Sequence, residues 1–280
     1  MSPFKLKMGK ISYINAFPVY YGIDKDENLL PDWIELIAEP PADLNRRLVK
    51  GEIEISPISS AFYGMHHDEL LLLPDLSISC HGKVMSVVLM SRYPLEVLDG
   101  KKILLTGESE TSAAFVKMIF LERGIHPVFE KKRVHNLHDV ENVADAALVI
   151  GDTALREPWD SIFEYRIDLG SLWHEMTGMP FVFAVWAVRR SFAQSRPEIV
   201  DRVIRVLLES KRQGDGNMNH IIRRGANALK LEEPYIKKYY ECLFCDFDKR
   251  KIEALECFFH FLYIQGIFKK EAKVRFFEFS

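Results

Sequence analysis

Apolar and polar positions in the first part of the chain alternate between two rhythms. KMGKISYI (7–14), WIELIAE (33–39) and EIEISPIS (52–59) read as strands, and AFPVYYGID (16–24), PADLNRRLVKG (41–51) and SAFYGMHH (60–67) as helices, a βαβαβ run. In PADLNRRLVKG, Leu44, Leu48 and Val49 share one face, Asp43 lies in the first turn and Gly51 closes the segment, as helix-dipole and C-cap preferences require. LLLLPDLSISC (70–80) and KVMSVVLMS (83–91) predict two strands leading out of this first set.

The alternation restarts at Gly100. KKILLTG (101–107), HPVFEKKRV (126–134) and AALVIGD (146–152) read as strands, TSAAFVKMIFLERG (111–124) and TALRE (153–157) as helices. FVFAVWAVRR (181–190) predicts a returning strand, RPEIVDRVIRVLLESKR (196–212) and DKRKIEALECFFHFLYIQGIF (248–268) long helices, and GDGNMNH (214–220) a turn-rich interruption. Ile252, Leu255, Phe258, Phe259 and Leu262 form an apolar stripe expected to pack onto the first lobe.

Strands alternating with helices imply an α/β fold of parallel sheets covered by helices. Two such sets joined by two long strands imply two lobes with a ligand cleft between them: residues 1–90 plus 188–280 as the larger, with the helical tail, and 91–187 as the smaller.

Charge narrows the function. Lys and Arg number 37 against 40 Asp and Glu, a net charge of −3, so no nucleic-acid footprint is expected. No run reaches membrane-spanning length and the N-terminal segment lacks a signal-like apolar core, so a cytoplasmic chain acting on a small molecule is expected. The CxxC of Cys242 and Cys245 has no second pair at zinc-site spacing, so reduced, packed thiols are expected. His66-His67-Asp68 points its side chains in different directions, and GxSxG, P-loop and GxGxxG motifs are absent; no metal or cofactor is expected.

The polar residues at strand ends carry what chemistry there is. Asn15 follows a strand and precedes Pro18, so it either caps a helix or turns its amide, donor and acceptor at once, into the cleft. Ser59 and Ser60, Thr106 with Ser109, Thr111 and Ser112, and Asp152 recur at equivalent places. Hydroxyls at a helix start, with its free backbone N–H groups, either satisfy a turn and a cap or hold a carboxylate. Ser86 interrupts an apolar strand, so its hydroxyl either bonds local backbone or points into the cleft, and Gly178-Met179 sit where the chain would cross back, where a glycine either admits backbone to a ligand or makes a simple turn.

GKISYINAFPVYYG, ISPISSAFY, PDLSISCHGKVMSVVLMS, LLTGESETSAAFVKMIFLE, ALVIGDTAL and DLGSLWHEMTGMPFVFAVWAVR, in this order and spacing, resemble the chorismate dehydratase family of the futalosine route to menaquinone, over roughly residues 8 to 190. The resemblance implies a fold like type II periplasmic binding proteins and dehydration of chorismate to 3-[(1-carboxyvinyl)oxy]benzoate. A sister family that makes 1,4-dihydroxy-6-naphthoate opens with a SPCPNDT-like segment where this chain has SYINAFP. Carried over, the family's Tyr-x-Asn opening falls on Asn15, its strand serine on Ser86, its serine-threonine helix start on Ser109, Thr111 and Ser112, and its Gly-Asp aspartate on Asp152. Cys80-His81 and Phe62 depart from the family pattern without touching these positions.

So read, Asn15, Ser86 and Asp152 are the expected catalytic residues, and Ser59, Ser60, Thr106, Ser109, Thr111, Ser112, Gly178 and Met179 the expected substrate-binding ones. Hydroxyls and an amide are poor bases near neutral pH. The proton would then pass to the substrate's own enolpyruvyl carboxylate or a water, with Asp152 as the competing base. A carboxylate-binding protein without chemistry is the rival expectation, since the same cleft would serve it.

Overall fold

The computed structural model describes residues 5–26 and 28–278; the N-terminal reading lies in part on residues 1–4, outside the described residues. In chain order the elements are β1 (Leu6–Ile11), α1 (Phe17–Lys25), β2 (Ile34–Glu39), α2 (Pro41–Lys50), β3 (Ile55–Ser59), α3 (Ser60–Met65), β4 (Leu70–Cys80) and β5 (Val87–Ser91). There follow β6 (Lys102–Leu105), α4 (Glu110–Glu122), β7 (Val128–Lys131), β8 (Ala146–Ile150), α5 (Gly151–Arg156), β9 (Tyr165–Asp168) and α6 (Leu169–Thr177). The return is β10 (Phe181–Arg189), α7 (Arg190–Ser195), α8 (Pro197–Asp215), α9 (Met218–Leu229), α10 (Glu233–Glu241), β11 (Leu243–Phe244) and α11 (Lys249–Ile264).

These strands make two sheets, ordered β11-β4-β10-β3-β1-β2 and β7-β6-β8-β5-β9, and so two lobes. The expected all-parallel sheets are corrected to mixed ones. β1 runs parallel to β2 and β3, and β6 parallel to β7 and β8, as βαβ units require. The linking strands run the other way, β10 antiparallel to β3 and β4, and β5 antiparallel to β8 and β9. β5 pairs only with strands of the second sheet and β10 only with strands of the first.

Other differences have local causes. β1 stops at Ile11, and Ile14–Ala16 coil into a short 3-10 turn ahead of α1. Gly214, read as a turn signal, lies inside α8; a Cβ there would sit 2.1 Å from the Pro18 carbonyl oxygen, so this glycine serves close helix packing against α1. Asn219 and His220 lie within α9, which with β9, α6 and α10 went unassigned from sequence. The α11 stripe is core as expected, with Leu255, Phe258, Phe259 and Leu262 buried. It reaches beyond the first lobe, because the Phe258 ring meets Phe115 of α4 and Trp173 of α6 as well as Phe181 of β10.

Among the described residues, no helix is long and apolar enough to cross a membrane.

Candidate active site

The carboxyl ends of the parallel strands in both sheets open onto one narrow cleft, the place where open α/β sheets bind ligands. Its first wall is the row Ser59, Ala184 and Ile78, register neighbours on β3, β10 and β4, with Ile11 at the end of β1 and Phe183 beside them. Its second wall is Val87 paired with Ile150, with Gly151 following. Asn15, Ser86, Ser109, Ser112, Tyr13 and Pro41 complete the lining of a narrow cavity of about 50 Å³. Five of the expected residues therefore share this cleft: Asn15, Ser59, Ser86, Ser109 and Ser112.

Asn15 falls in the middle of the 3-10 turn, and the residue at the N-cap of α1 is Ala16, so the amide is not used as a helix cap. Its Oδ1 is buried without a hydrogen-bond partner. A buried acceptor left unpaired costs stability, and this one belongs to a residue of the cleft wall.

Ser86 is presented by a strained corner. Met85 takes φ +63, a left-handed conformation unusual for a long side chain, and the Ser86 N–H donates to the Val84 carbonyl at 2.7 Å. Asp168 holds this corner by accepting from the N–H groups of Val84 (3.1 Å) and Met85 (2.7 Å), while its Oδ1 also accepts from Ser171 N–H to cap α6. The Gly151 N–H donates to the Ser86 carbonyl at 2.7 Å, which fixes the serine against β8.

Ser109 takes the capping role and also lines the cleft. It is the N-cap of α4, its Oγ accepting from Ser112 N–H at 3.2 Å, and with Ser112 Oγ, 2.9 Å away, it faces the cleft at the positive end of a 13-residue helix.

The remaining expected site residues lie outside this lining. Thr111 Oγ1 accepts from Ala61 N–H (3.0 Å) and donates to the Phe183 carbonyl (2.9 Å). Ser60 Oγ donates to the Val182 carbonyl at 2.6 Å. Together they sew α3, α4 and β10 into a closed seam behind the cleft. Thr106 Oγ1 accepts from Glu108 N–H at 3.2 Å, a turn bond. Gly178 caps α6 at φ +67, a conformation glycine adopts without strain, and its carbonyl accepts from Arg250. Met179 N–H donates to Thr177 Oγ1 at 3.1 Å. Neither Gly178 nor Met179 is among the cleft-lining residues, because the α6 cap lies beside α11.

Asp152 stands just behind the lining. Its Oδ1 accepts from Ile14 N–H at 3.1 Å, tying the second lobe to the corner that carries Asn15. Burial raises its pKa to about 6, against the opposing pull of the Ile14 N–H and Arg156.

Sequence reasoning missed several residues. Tyr13 lines the cleft and donates across it to Glu108 Oε2 at 2.9 Å. Burial, then the Glu108 carboxylate, push its phenol pKa far up, so it stays a neutral donor. Its ring packs on Gly151, φ +62, where a Cβ would come within 2.9 Å of it. Asn45 accepts from Ser59 N–H through Oδ1 at 3.3 Å and leaves Nδ2 buried without a partner. At the rim, Asp43 pairs with Arg46 and, across the lobes, with Arg133 at 3.0 Å, while Lys131 pairs with Glu110 at 2.6 Å. The spacing of YIN marked only its asparagine, and nothing local signals contacts between residues as far apart as Tyr13 and Glu108.

Among the described residues, no cluster of three His, Cys, Asp or Glu side chains is arranged to hold a metal ion. The cysteines are free thiols, and burial raises the pKa of Cys245 to about 12. His67 Nδ1 is engaged by the Gly64 carbonyl at 2.9 Å.

A sequence model of a menaquinone-biosynthesis family matches residues 6–263. The chain is 31% identical over 255 residues to a chorismate dehydratase of Thermus thermophilus, covering 86% of this chain and 88% of that one. It is 24% identical over 201 residues to a 1,4-dihydroxy-6-naphtoate synthase of the same organism, covering 71% and 72%. Among solved structures, a periplasmic aliphatic sulphonate binding protein of Escherichia coli superposes with a TM-score of 0.66 at 12% identity, covering all of this chain and 94% of the other. The periplasmic-binding-protein fold expected from the sequence is therefore the fold observed.

Proposed function

The chain belongs to the menaquinone-biosynthesis family, and on that premise we propose that it is a chorismate dehydratase, a carbon-oxygen lyase that converts chorismate to 3-[(1-carboxyvinyl)oxy]benzoate and water. The observation that carries the reading is the cleft lining: neutral hydrogen-bonding groups and a helix start, with Asn15 Oδ1 unpaired. Identity over most of both chains favours the dehydratase over the naphthoate synthase, as does SYINAFP at the opening corner. We place the reaction in the cytoplasm, where a biosynthetic enzyme meets such a metabolite.

Chorismate brings two carboxylates, a C4 hydroxyl and an enolpyruvyl ether on C3. One carboxylate is held at the start of α4 by Ser109, Ser112 and the helix dipole, which contributes about 0.3–2 kcal/mol depending on burial. The ring lies against Ile11, Ile78, Val87, Ile150 and Phe183, which exclude water. Asn15 Oδ1 accepts from the C4 hydroxyl, and Ser86 Oγ donates to the same oxygen as it leaves.

The C3 proton passes to the substrate's own enolpyruvyl carboxylate; the C3–H electron pair forms the new ring double bond as the C4–O bond breaks. The departing hydroxide takes up that proton and leaves as water, and aromaticity drives the step. Tyr13 in the lining is held neutral, and Asp152 behind it has its Oδ1 tied to Ile14 N–H. Catalysis is thereby assigned to positioning and to charge stabilisation.

The test is to incubate the purified chain with chorismate and follow the aromatic product by absorbance and mass. Product lighter than chorismate by one water supports the reading. Chorismate bound but unchanged would mark a binding protein, and chorismate ignored would overturn both.

A further inference from the structure

Ser86 poses a problem that the lining alone does not solve. A serine hydroxyl has one hydrogen and rotates freely, so a donor role toward a leaving oxygen needs something to fix its direction. Ser86 is 3% exposed and its own N–H and carbonyl are spent on Val84 and Gly151.

Behind it stands Tyr239 of α10, completely buried. The tyrosine packs in one apolar cluster with Met85, the neighbour of Ser86, and Ile14, the neighbour of Asn15. The adjacent Tyr240 hydroxyl donates to the Ile14 carbonyl at 2.9 Å, so α10 grips both catalytic corners. The Tyr239 hydroxyl lies within reach of Ser86, short of a well-formed hydrogen bond, and is among the buried polar atoms left without a partner. A buried phenol hydroxyl without a partner weakens the fold relative to phenylalanine, which asks for a compensating role.

We propose that Tyr239 is a positioning residue for the dehydration: with substrate in the cleft its hydroxyl donates to Ser86 Oγ, leaving the serine hydrogen directed at the C4 oxygen. Tyr239 touches no reacting atom and acts only through Ser86. The inference rests on the chorismate dehydratase reading, and it extends the site into the C-terminal helices.

The experiment compares wild type, Tyr239→Phe, Ser86→Ala and the double variant in steady-state dehydration of chorismate and in thermal denaturation. Tyr239→Phe is expected to lower kcat about tenfold with KM within about twofold of wild type, and to leave Tm unchanged or raised. In the Ser86→Ala background the same change is expected to cost nothing further. Wild-type kcat in Tyr239→Phe overturns the inference, as does an equal loss in the presence and absence of Ser86. A fall in Tm accompanied by parallel losses in kcat and KM would make the hydroxyl structural and overturn it too. If wild type itself makes no product, the failure belongs to the proposed function and is recognised before any variant is compared.

Discussion

Two groups of small polar residues lie back to back in this molecule and look alike in sequence. Ser60 and Thr111 are completely buried, and their hydroxyls meet Ala61 N–H and the carbonyls of Val182 and Phe183. Asn15 and Ser86, on the other side of Phe183, lie by contrast beside open hydrogen-bonding capacity: the Asn15 Oδ1 and the Tyr239 hydroxyl behind Ser86. A satisfied buried polar group holds structure together, whereas an unsatisfied one beside a cleft leaves hydrogen-bonding capacity unused.

The strongest way to break that contrast is Ser86→Ala or Asn15→Ala. Each is expected to cut kcat by about 10²–10³-fold, the usual effect of deleting a group aimed at developing charge, with Tm shifted little. Steady-state kinetics beside thermal denaturation decides it; a large Tm loss in either variant would place these residues in the seam class.

Thr111→Val tests the other side. It keeps the shape but strands the Ala61 N–H and the Phe183 carbonyl, so a loss of about 2–3 kcal/mol in unfolding free energy is expected, with kcat retained below the transition. Denaturant unfolding measures it. An unaltered midpoint with lost turnover would mean that Thr111 touches substrate after all.

This contrast also explains what the sequence could and could not show. Asn15, Ser59, Ser86, Ser109 and Ser112 were legible because strand ends carry polar residues for a reason, and the βαβ rhythm located those ends. Ser60 and Thr111 sit at the same kind of place, and only the direction of each side chain separates them. Thr106, Gly178 and Met179 carry turn chemistry that reads the same whether or not a ligand is near. Tyr13 comes to the cleft, and Asn45 and Tyr239 to the residues behind it, through contacts between distant segments, which no local pattern records. The antiparallel linking strands escaped for a similar reason: an apolar run states burial on both faces but not direction.

Asp152 stands between the two groups, bonded like a seam residue yet titrating near neutral. A carboxyl whose pKa is raised to about 6 in the fold, from an ordinary value near 4, binds its proton more tightly folded than unfolded. Wild-type stability attributable to it is therefore fully present below pH 4 and falls as pH rises through 6. Asp152→Asn keeps an acceptor for Ile14 N–H and removes the titration. Relative to wild type, the variant should gain on the order of 2 kcal/mol between pH 4 and pH 7 and hold that difference above. Unfolding across that range checks the sign. Turnover should persist within a few-fold, and its abolition with chorismate affinity unchanged would transfer the base role to Asp152.

The smallest effect is expected at the rim. Arg133 reaches across the lobes to Asp43 and is half exposed, so the pair contributes at most about 1 kcal/mol to holding them together. Its charge nevertheless acts on Tyr13 at the cleft wall, and so on a dianion approaching it. Arg133→Gln should raise KM for chorismate about two- to fivefold at low ionic strength, leave kcat unchanged, and lose its effect as salt is added, because screening removes a field but not a contact. A salt-independent fall in kcat would instead make the Asp43 pair part of cleft closure, and would move the rim from the steering of substrate to the structure that seats it.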